Sequence, residues 1–279
     1  MKLVTYERDG VPQTGTLVGD SIVATEQPGS MIDLITGWES CRRQIESVVT
    51  AGKRYPLSTV RLLAPVQRPG KMFAIGLNYA DHVAESKMET PKHQVWFTKA
   101  VTSINGPYDP IQIPHGSNFV DYEVELVLVI GKRGRHISRD KAREHIFGYC
   151  VGNDVTERFW QHRTPQWSLG KSFDTHAPVG PWITTADDVA DPHALGLRCF
   201  VNGEKRQDSD TKHLVFNIWE QIEHLSQAMT LEPGDLIFTG TPGGVGAAMD
   251  PRQFLKAGDI VRCEIDGLGA IEAKMATEE

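Results

Sequence analysis

The run Asp121-Tyr122-Glu123-Val124-Glu125-Leu126-Val127-Leu128-Val129-Ile130 places two carboxylates two positions apart at the head of what otherwise reads as a buried strand. Positions two apart in a strand share a face, so Glu123 and Glu125 point the same way. Tyr122, Val124, Leu126, Leu128 and Ile130 make the opposite face apolar, while Val127 and Val129 continue the glutamate face. Both faces are therefore predicted to be covered. Two carboxylates about 5 Å apart repel by roughly 3 kcal/mol at an effective dielectric near 20, so a shielded pair needs a cation or a shared proton. A hard divalent metal meets that need; an exposed edge strand whose glutamates face lysines on a neighbour is the competing explanation. Asp154, at the end of the short apolar run Tyr149-Cys150-Val151-Gly152-Asn153-Asp154, supplies a third acid. Three carboxylates suit Mg²⁺, Mn²⁺ or Ca²⁺ better than zinc, and the chain has neither a CxxC pair nor an HExxH motif.

With 279 residues the chain has room for a small module and a larger domain with a substantial core. A formal charge of −7 argues against a broad nucleic-acid surface, and the basic run from Lys132 to Arg143 reads as a solvated loop and helix start. Cys41, Cys150, Cys199 and Cys263 are scattered and are expected to be reduced thiols. The charged N-terminal residues do not read as a signal peptide, and no apolar run reaches membrane-spanning length, so the expectation is a cytoplasmic protein with no membrane partner.

The pattern predicts a mostly β, α+β fold with few helices. Residues 1–65 form a small N-terminal β/α domain with helical spacing from Ile32 to Val49, and 70–275 form the larger domain. Expected strands are Met72 to Leu77, Val95 to Thr98, Tyr122 to Ile130, Gly148 to Asp154, Leu197 to Val201, Asp235 to Thr239 and Ile260 to Ile265. Asn217 caps the clearest helix, which runs to Met229, and Asp266-Gly267 marks a closing hairpin before Ala270 to Met275.

His82 and Glu85 become neighbours if the polar stretch after Leu77 is helical, and a carboxylate beside an imidazole makes a general base. The same HxxE spacing also occurs on ordinary solvated helices. Gly76, Lys87 and the loop to Pro91 are read as a hinge that lets this segment close over a site. Lys171, among turn-forming and apolar residues, would stabilise an enolate or carboxylate if it lies beside a metal. Arg158 and Gln161 turn back toward Asp154 if a helix starts there. The glycine-rich stretch Thr239 to Gly246 lacks the GK[ST] of a nucleotide loop and is read as backbone able to approach a small anion.

Six ordered motifs resemble the fumarylacetoacetate hydrolase family over about residues 70 to 275. They are Gly76-x-Asn78-Tyr79-x-x-His82-x-x-Glu85, Phe97-x-Lys99, Tyr122-Glu123-x-Glu125-Leu126, Asn153-Asp154, Gly170-Lys171-Ser172-Phe173-Asp174-Thr175 and Thr239-Gly240-Thr241-Pro242. The resemblance implies a mixed β-roll around an Mg²⁺ or Mn²⁺ site, in a homodimer. It implies metal ligands at Glu123, Glu125 and Asp154, a water-activating dyad at His82 and Glu85, and an enolate-stabilising Lys171. Substrate-binding positions carried over with it are Asn78, Tyr79, Lys99, Arg158, Gln161 and Thr241. Two departures stand out. A fourth acidic ligand known in the founding hydrolase is replaced by Ile75 and Gly76, and Phe159 and Trp160 follow Arg158 where many members have other residues, which is expected to reshape the pocket. The expected activity is hydrolysis of a carbon–carbon bond in a 2,4-dioxo (acylpyruvate-type) acid through a metal-bound enolate. Decarboxylation of oxaloacetate, or isomerisation or hydration of a hydroxymuconate-type acid, are the alternatives on the same site, and a non-catalytic metal- or ligand-binding protein is the alternative of a different class.

Overall fold

The computed structural model describes residues 1–27, 29–86 and 89–278. The N-terminal part contains β1 (Lys2–Arg8), β2 (Val11–Val18), β3 (Ser21–Ala24), α1 (Met31–Thr36), α2 (Trp38–Ala51), β4 (Arg54–Pro56) and β5 (Arg61–Leu63). The middle contains β6 (Met72–Gly76), α3 (Ala80–Ser86), β7 (Val95–Thr98), β8 (Ile104–Asn105), β9 (Ile111–Ile113), β10 (Val120–Asp121), β11 (Val124–Ile130), β12 (Ile146–Asn153), β13 (Thr156–Glu157) and α4 (Arg158–His162). The remainder contains β14 (Ala177–Thr185), β15 (Gly196–Val201), β16 (Glu204–Asp210), α5 (Ile218–Ala228), β17 (Leu236–Phe238), β18 (Ile260–Ile265) and β19 (Gly269–Thr277). The fold is α+β, dominated by strands in mixed sheets.

A twelve-stranded sheet runs β4-β3-β2-β1-β14-β12-β11-β17-β6-β7, with β5 on β1 and β8 on β14. Its pairs are antiparallel except β17 with β6 and β14 with β8. Hydrogen bonding passes from the N-terminal strands into the rest of the sheet through β1 and β14, where Leu3 faces Ile183. A second sheet, β16-β15-β18-β19-β9, packs across one face. Leu126, Leu128 and Ile130 meet Leu197, Val261 and Ile271 there, together with Ile218, Ile222 and Leu225 of α5. On the other face Val127 and Val129 pack with Leu34, Ile35 and Ile45 from α1 and α2. Each such side chain contributes about 1.5–3 kcal/mol when fully buried. β11 therefore sits between two cores, which is why both of its faces are apolar and every residue of it is buried.

Two local differences from the sequence reading have plain causes. The predicted helix from Ile32 to Val49 is two helices, because Gly37 at φ −89° and ψ 7° ends α1 and starts α2. The predicted strand from Tyr122 begins only at Val124. Tyr122 and Glu123 lie between β10 and β11, and the amide of Val124 donates to Gln207 Oε1 at 2.9 Å rather than to a strand neighbour. The helix at Asn217 forms as read: its side chain accepts from Glu220 N, and the Glu220 side chain accepts from Asn217 N, closing a capping box. Lys87, part of the predicted hinge, lies outside the described residues.

Candidate active site

The end of β12 and the start of β11 are neighbours in the ladder, Val124 facing Asn153, so Glu123, Glu125 and Asp154 meet at one end of the central strands. One oxygen from each lies within 4.8 Å of the others, and all three residues are buried. Asn153 fixes the approach by accepting from Glu123 N at 2.9 Å, and Asp154 N donates to Glu123 O at 2.9 Å.

Cations are built into this cluster. Lys171 Nζ lies 2.6 Å from Glu123 Oε2 and 2.7 Å from Asp154 Oδ2, and Arg158 Nη2 lies 2.8 Å from Glu123 Oε1. Burial disfavours the charge on Glu123, but Lys171, Arg158 and His82 outweigh it and hold the carboxyl below its ordinary range. Glu125 fares differently. Burial, then the charges of Asp154 and Glu123, push its pKa well above the usual value, and among the hydrogen bonds of the described residues its carboxylate accepts only from Gly240 N, at 2.8 Å. Counting Asp121, four buried carboxylates face the fixed cations Lys99, Lys171 and Arg158. The all-oxygen donor set and a Glu125 carboxyl that no side-chain cation pairs with among the described residues together fit a hard divalent cation.

The second feature of the site is the dyad. α3 places His82 and Glu85 one turn apart, with Nδ1 and Oε1 2.8 Å apart. Glu85 Oε2 accepts from Gly244 N at 2.7 Å, so the carboxylate is fixed at both oxygens. A Glu85-bound Nδ1–H leaves Nε2 as the acceptor, the form needed for proton abstraction. His82, Glu85, Glu123, Glu125, Arg158, Gln161, Lys171 and Thr241 line one cavity of about 570 Å³. The glycine-rich loop after β17 holds these parts together, but its amides bind carboxylates of this chain instead of a free anion. Gly240 holds Glu125, Gly244 holds Glu85, and Gly246 and Ala247 hold Asp121 at 2.8 and 2.9 Å.

Three expected substrate contacts do not line the cavity. Asn78 uses its amide within the fold, donating to Phe216 O and Thr239 O and accepting from Phe216 N. Tyr79 is fully buried in the core between the sheets. Lys99 sits behind Asp154, its Nζ 2.7 Å from Oδ1 and also bonded to Lys171 O, so it positions an acid and a neighbouring backbone rather than a ligand. Arg158 and Gln161 do reach the cavity, but Arg158 pairs with Asp121 and Glu123 rather than turning to Asp154, and its Nη1 donates to Gln161 Oε1 at 3.0 Å. Thr241 lines the wall while donating to Val124 O at 3.0 Å.

At Gly76, where a fourth acid is missing, a Cβ would come within 2.2 Å of the Trp167 ring, so the glycine lets this indole form the cavity wall. Phe159 and Trp160 do not line this cavity. Phe159 stacks on Phe119 at 6.3 Å and Trp160 meets Phe173 edge-on at 5.9 Å, so the expected reshaping comes from Trp167 instead. The sequence reading also passed over Asp121. It is fully buried and holds Arg158 Nε at 2.9 Å as well as two amides of the glycine-rich loop. Its signal was available, since Asp121, Glu123 and Glu125 repeat at the two-residue period of the run.

Residues 71–276 match the C-terminal domain family of fumarylacetoacetate (FAA) hydrolases, and residues 1–65 match the Rv2993c-like N-terminal family. The chain belongs to the fumarylacetoacetate hydrolase family. Within it, the chain is 42% identical over 283 residues to the mitochondrial oxaloacetate tautomerase fahd2 of Xenopus laevis, covering 97% of this chain and 89% of that one. The human mitochondrial oxaloacetate tautomerase FAHD2A is 49% identical over 222 residues, covering 79% and 71%. Among solved members of the family, maleylpyruvate hydrolase from Sphingobium sp. SYK-6, in complex with manganese(II) and pyruvate, superposes with a TM-score of 0.86 at 33% identity over the whole of both chains.

Proposed function

We propose that this protein is a divalent-metal-dependent enzyme that enolises 2-oxo acids and interconverts the keto and enol forms of oxaloacetate. The observation that carries the reading is a cavity whose wall carries Glu123 and Glu125 of a buried three-carboxylate cluster, with Asp154 just behind them, a cation on that cluster and a carboxylate-oriented histidine. Glu123, Glu125 and Asp154 would hold Mg²⁺ or Mn²⁺, which supplies Lewis acidity toward the 2-oxo and carboxylate oxygens. His82 Nε2 takes the proton from the carbon beside the 2-oxo group and returns it to the oxygen, giving the enol; the reverse sequence gives the keto acid. Glu85 keeps the imidazole in the required tautomer and balances its charge while it holds the proton. The Lys171 ammonium, kept charged because Asp154 and Glu123 outweigh the effect of burial, offsets negative charge on the oxygen during transfer. The names of relatives at 42–49% identity support this choice of reaction.

Hydrolysis of a 2,4-dioxo acid is the second reading, favoured by the full-length likeness to a maleylpyruvate hydrolase. There the dyad would deprotonate water for attack on the distal carbonyl. The two readings separate when oxaloacetate and a small acylpyruvate are each followed by enol absorbance with Mg²⁺ or Mn²⁺, with chelator, and with product analysis. Tautomerisation conserves oxaloacetate, hydrolysis yields two acids including pyruvate, and decarboxylation releases carbon dioxide. Glu123→Gln is expected to lose metal affinity and turnover together. His82→Ala keeps the metal and loses about 10²–10⁴-fold in rate. A calorimetric metal titration unchanged by Glu123→Gln, or chelator-insensitive turnover, would overturn the assignment.

A further inference from the structure

The cations deep in the cavity are already committed. Lys171 is bound to Glu123 and Asp154, and Arg158 to Asp121, Glu123 and Gln161. Two other basic side chains line the same cavity, His162 at the end of α4 and Arg252 on the loop before β18, and both are exposed at its mouth. Neither has an ion pair or hydrogen bond to another described residue. Asp250 lies on the same wall and forms no ion pair with Arg252 among the described residues. His162 and Arg252 also line an adjoining hollow of about 400 Å³, where Arg163 adds a further cation. Burial, then the charges of Arg158, Lys171 and Arg252, lower the pKa of His162, so positive potential is concentrated on this wall and the ring is available as a neutral donor.

We propose that Arg252 and His162 form a second anion subsite at the cavity mouth that receives the distal carboxylate of a 2-oxo dicarboxylic acid. The assignment rests on the enolising reading above and deepens it. The 2-oxo acid end goes to the carboxylate cluster, and selection between diacids and monoacids is made at the opposite, solvent-facing end. With no side-chain partner among the described residues, the Arg252 guanidinium fork is open to a carboxylate, and His162 adds a donor beside it.

The test compares oxaloacetate with its 4-methyl ester, which keeps the shape and removes the distal charge, on the Mg²⁺-loaded protein. Wild type is expected to favour the diacid in kcat/KM by about tenfold or more, the scale of one charge-assisted hydrogen bond. Arg252→Met should remove most of that preference, Arg252→Lys should recover part of it, and adding His162→Gln to Arg252→Met should bring the ratio close to one. A ratio that Arg252→Met leaves unchanged overturns the subsite. If wild type turns over neither compound, the enolising reading fails and calorimetric affinities of the two compounds decide the subsite alone. A diacid preference abolished by Arg252→Met still supports it; equal affinities overturn it.

Discussion

Asp121 shows how a residue that need not touch substrate can control the site. Its two oxygens join Arg158 to the backbone of the glycine-rich loop, and that loop in turn fixes Glu85. Asp121→Asn removes the charge opposite a buried guanidinium and is expected to destabilise the fold by about 3 kcal/mol. It should also lower kcat/KM about 10- to 100-fold, with metal affinity changing less than about threefold, because Arg158, left with Glu123 and Gln161 alone, is held less firmly. Calorimetry beside steady-state kinetics checks the split. His176 carries a different prediction. It is fully buried, donates from Nε2 to Gln112 O at 2.8 Å, and burial lowers its pKa to about 3. As pH falls through about 6.5 the unfolded chain takes up a proton that the folded chain refuses, so stability decreases, by about 2 kcal/mol between pH 7 and pH 5 from this residue. Denaturant titrations at the two pH values should show a smaller loss for His176→Gln. The acids of the site were legible because Glu123 and Glu125 interrupt an apolar period. Lys99 was read as a substrate contact because its place behind Asp154, 55 positions away, depends on how the sheet closes.

At the scale of elements, local chemistry predicted well where it is strong. Asn217 and Glu220 announce α5, and Asn217→Ala is expected to cost about 1 kcal/mol, read as a shift in the urea midpoint with unchanged slope. β14 was not read as a strand, although it is central, because Gly180 and Pro181 look like a break. The sheet accommodates them at a register shift between Tyr149 and Val151 on β12. β16 was missed for the opposite reason. Its sequence, EKRQDSD, has no apolar alternation, and only the Asn202-Gly203 turn, both residues at positive φ, marks the hairpin. The helix read as continuous from Ile32 to Val49 breaks at Gly37 because tertiary packing turns α1 and α2 separately onto the sheet.

For the whole molecule, the predominance of strands was legible from periodicity, whereas the order of strands was not, since pairings such as β1 with β14 join residues some 180 positions apart. That pairing yields a prediction. Deleting residues 1–65 unpairs one edge of β14 and uncovers the face that carries Val127 and Val129, so the truncated chain is expected to aggregate, as light scattering would show. Soluble monodisperse material would mean that the remaining 214 residues fold without that cover. The built-in cations have a consequence for the life of the molecule. Because Lys171 and Arg158 already balance Glu123, and Glu125 can keep its proton, newly made protein is expected to reach its final shape in a cell starved of cofactor and, on the proposed function, to wait as a dormant stock. Metal supply would then set how many copies are awake, not how many survive.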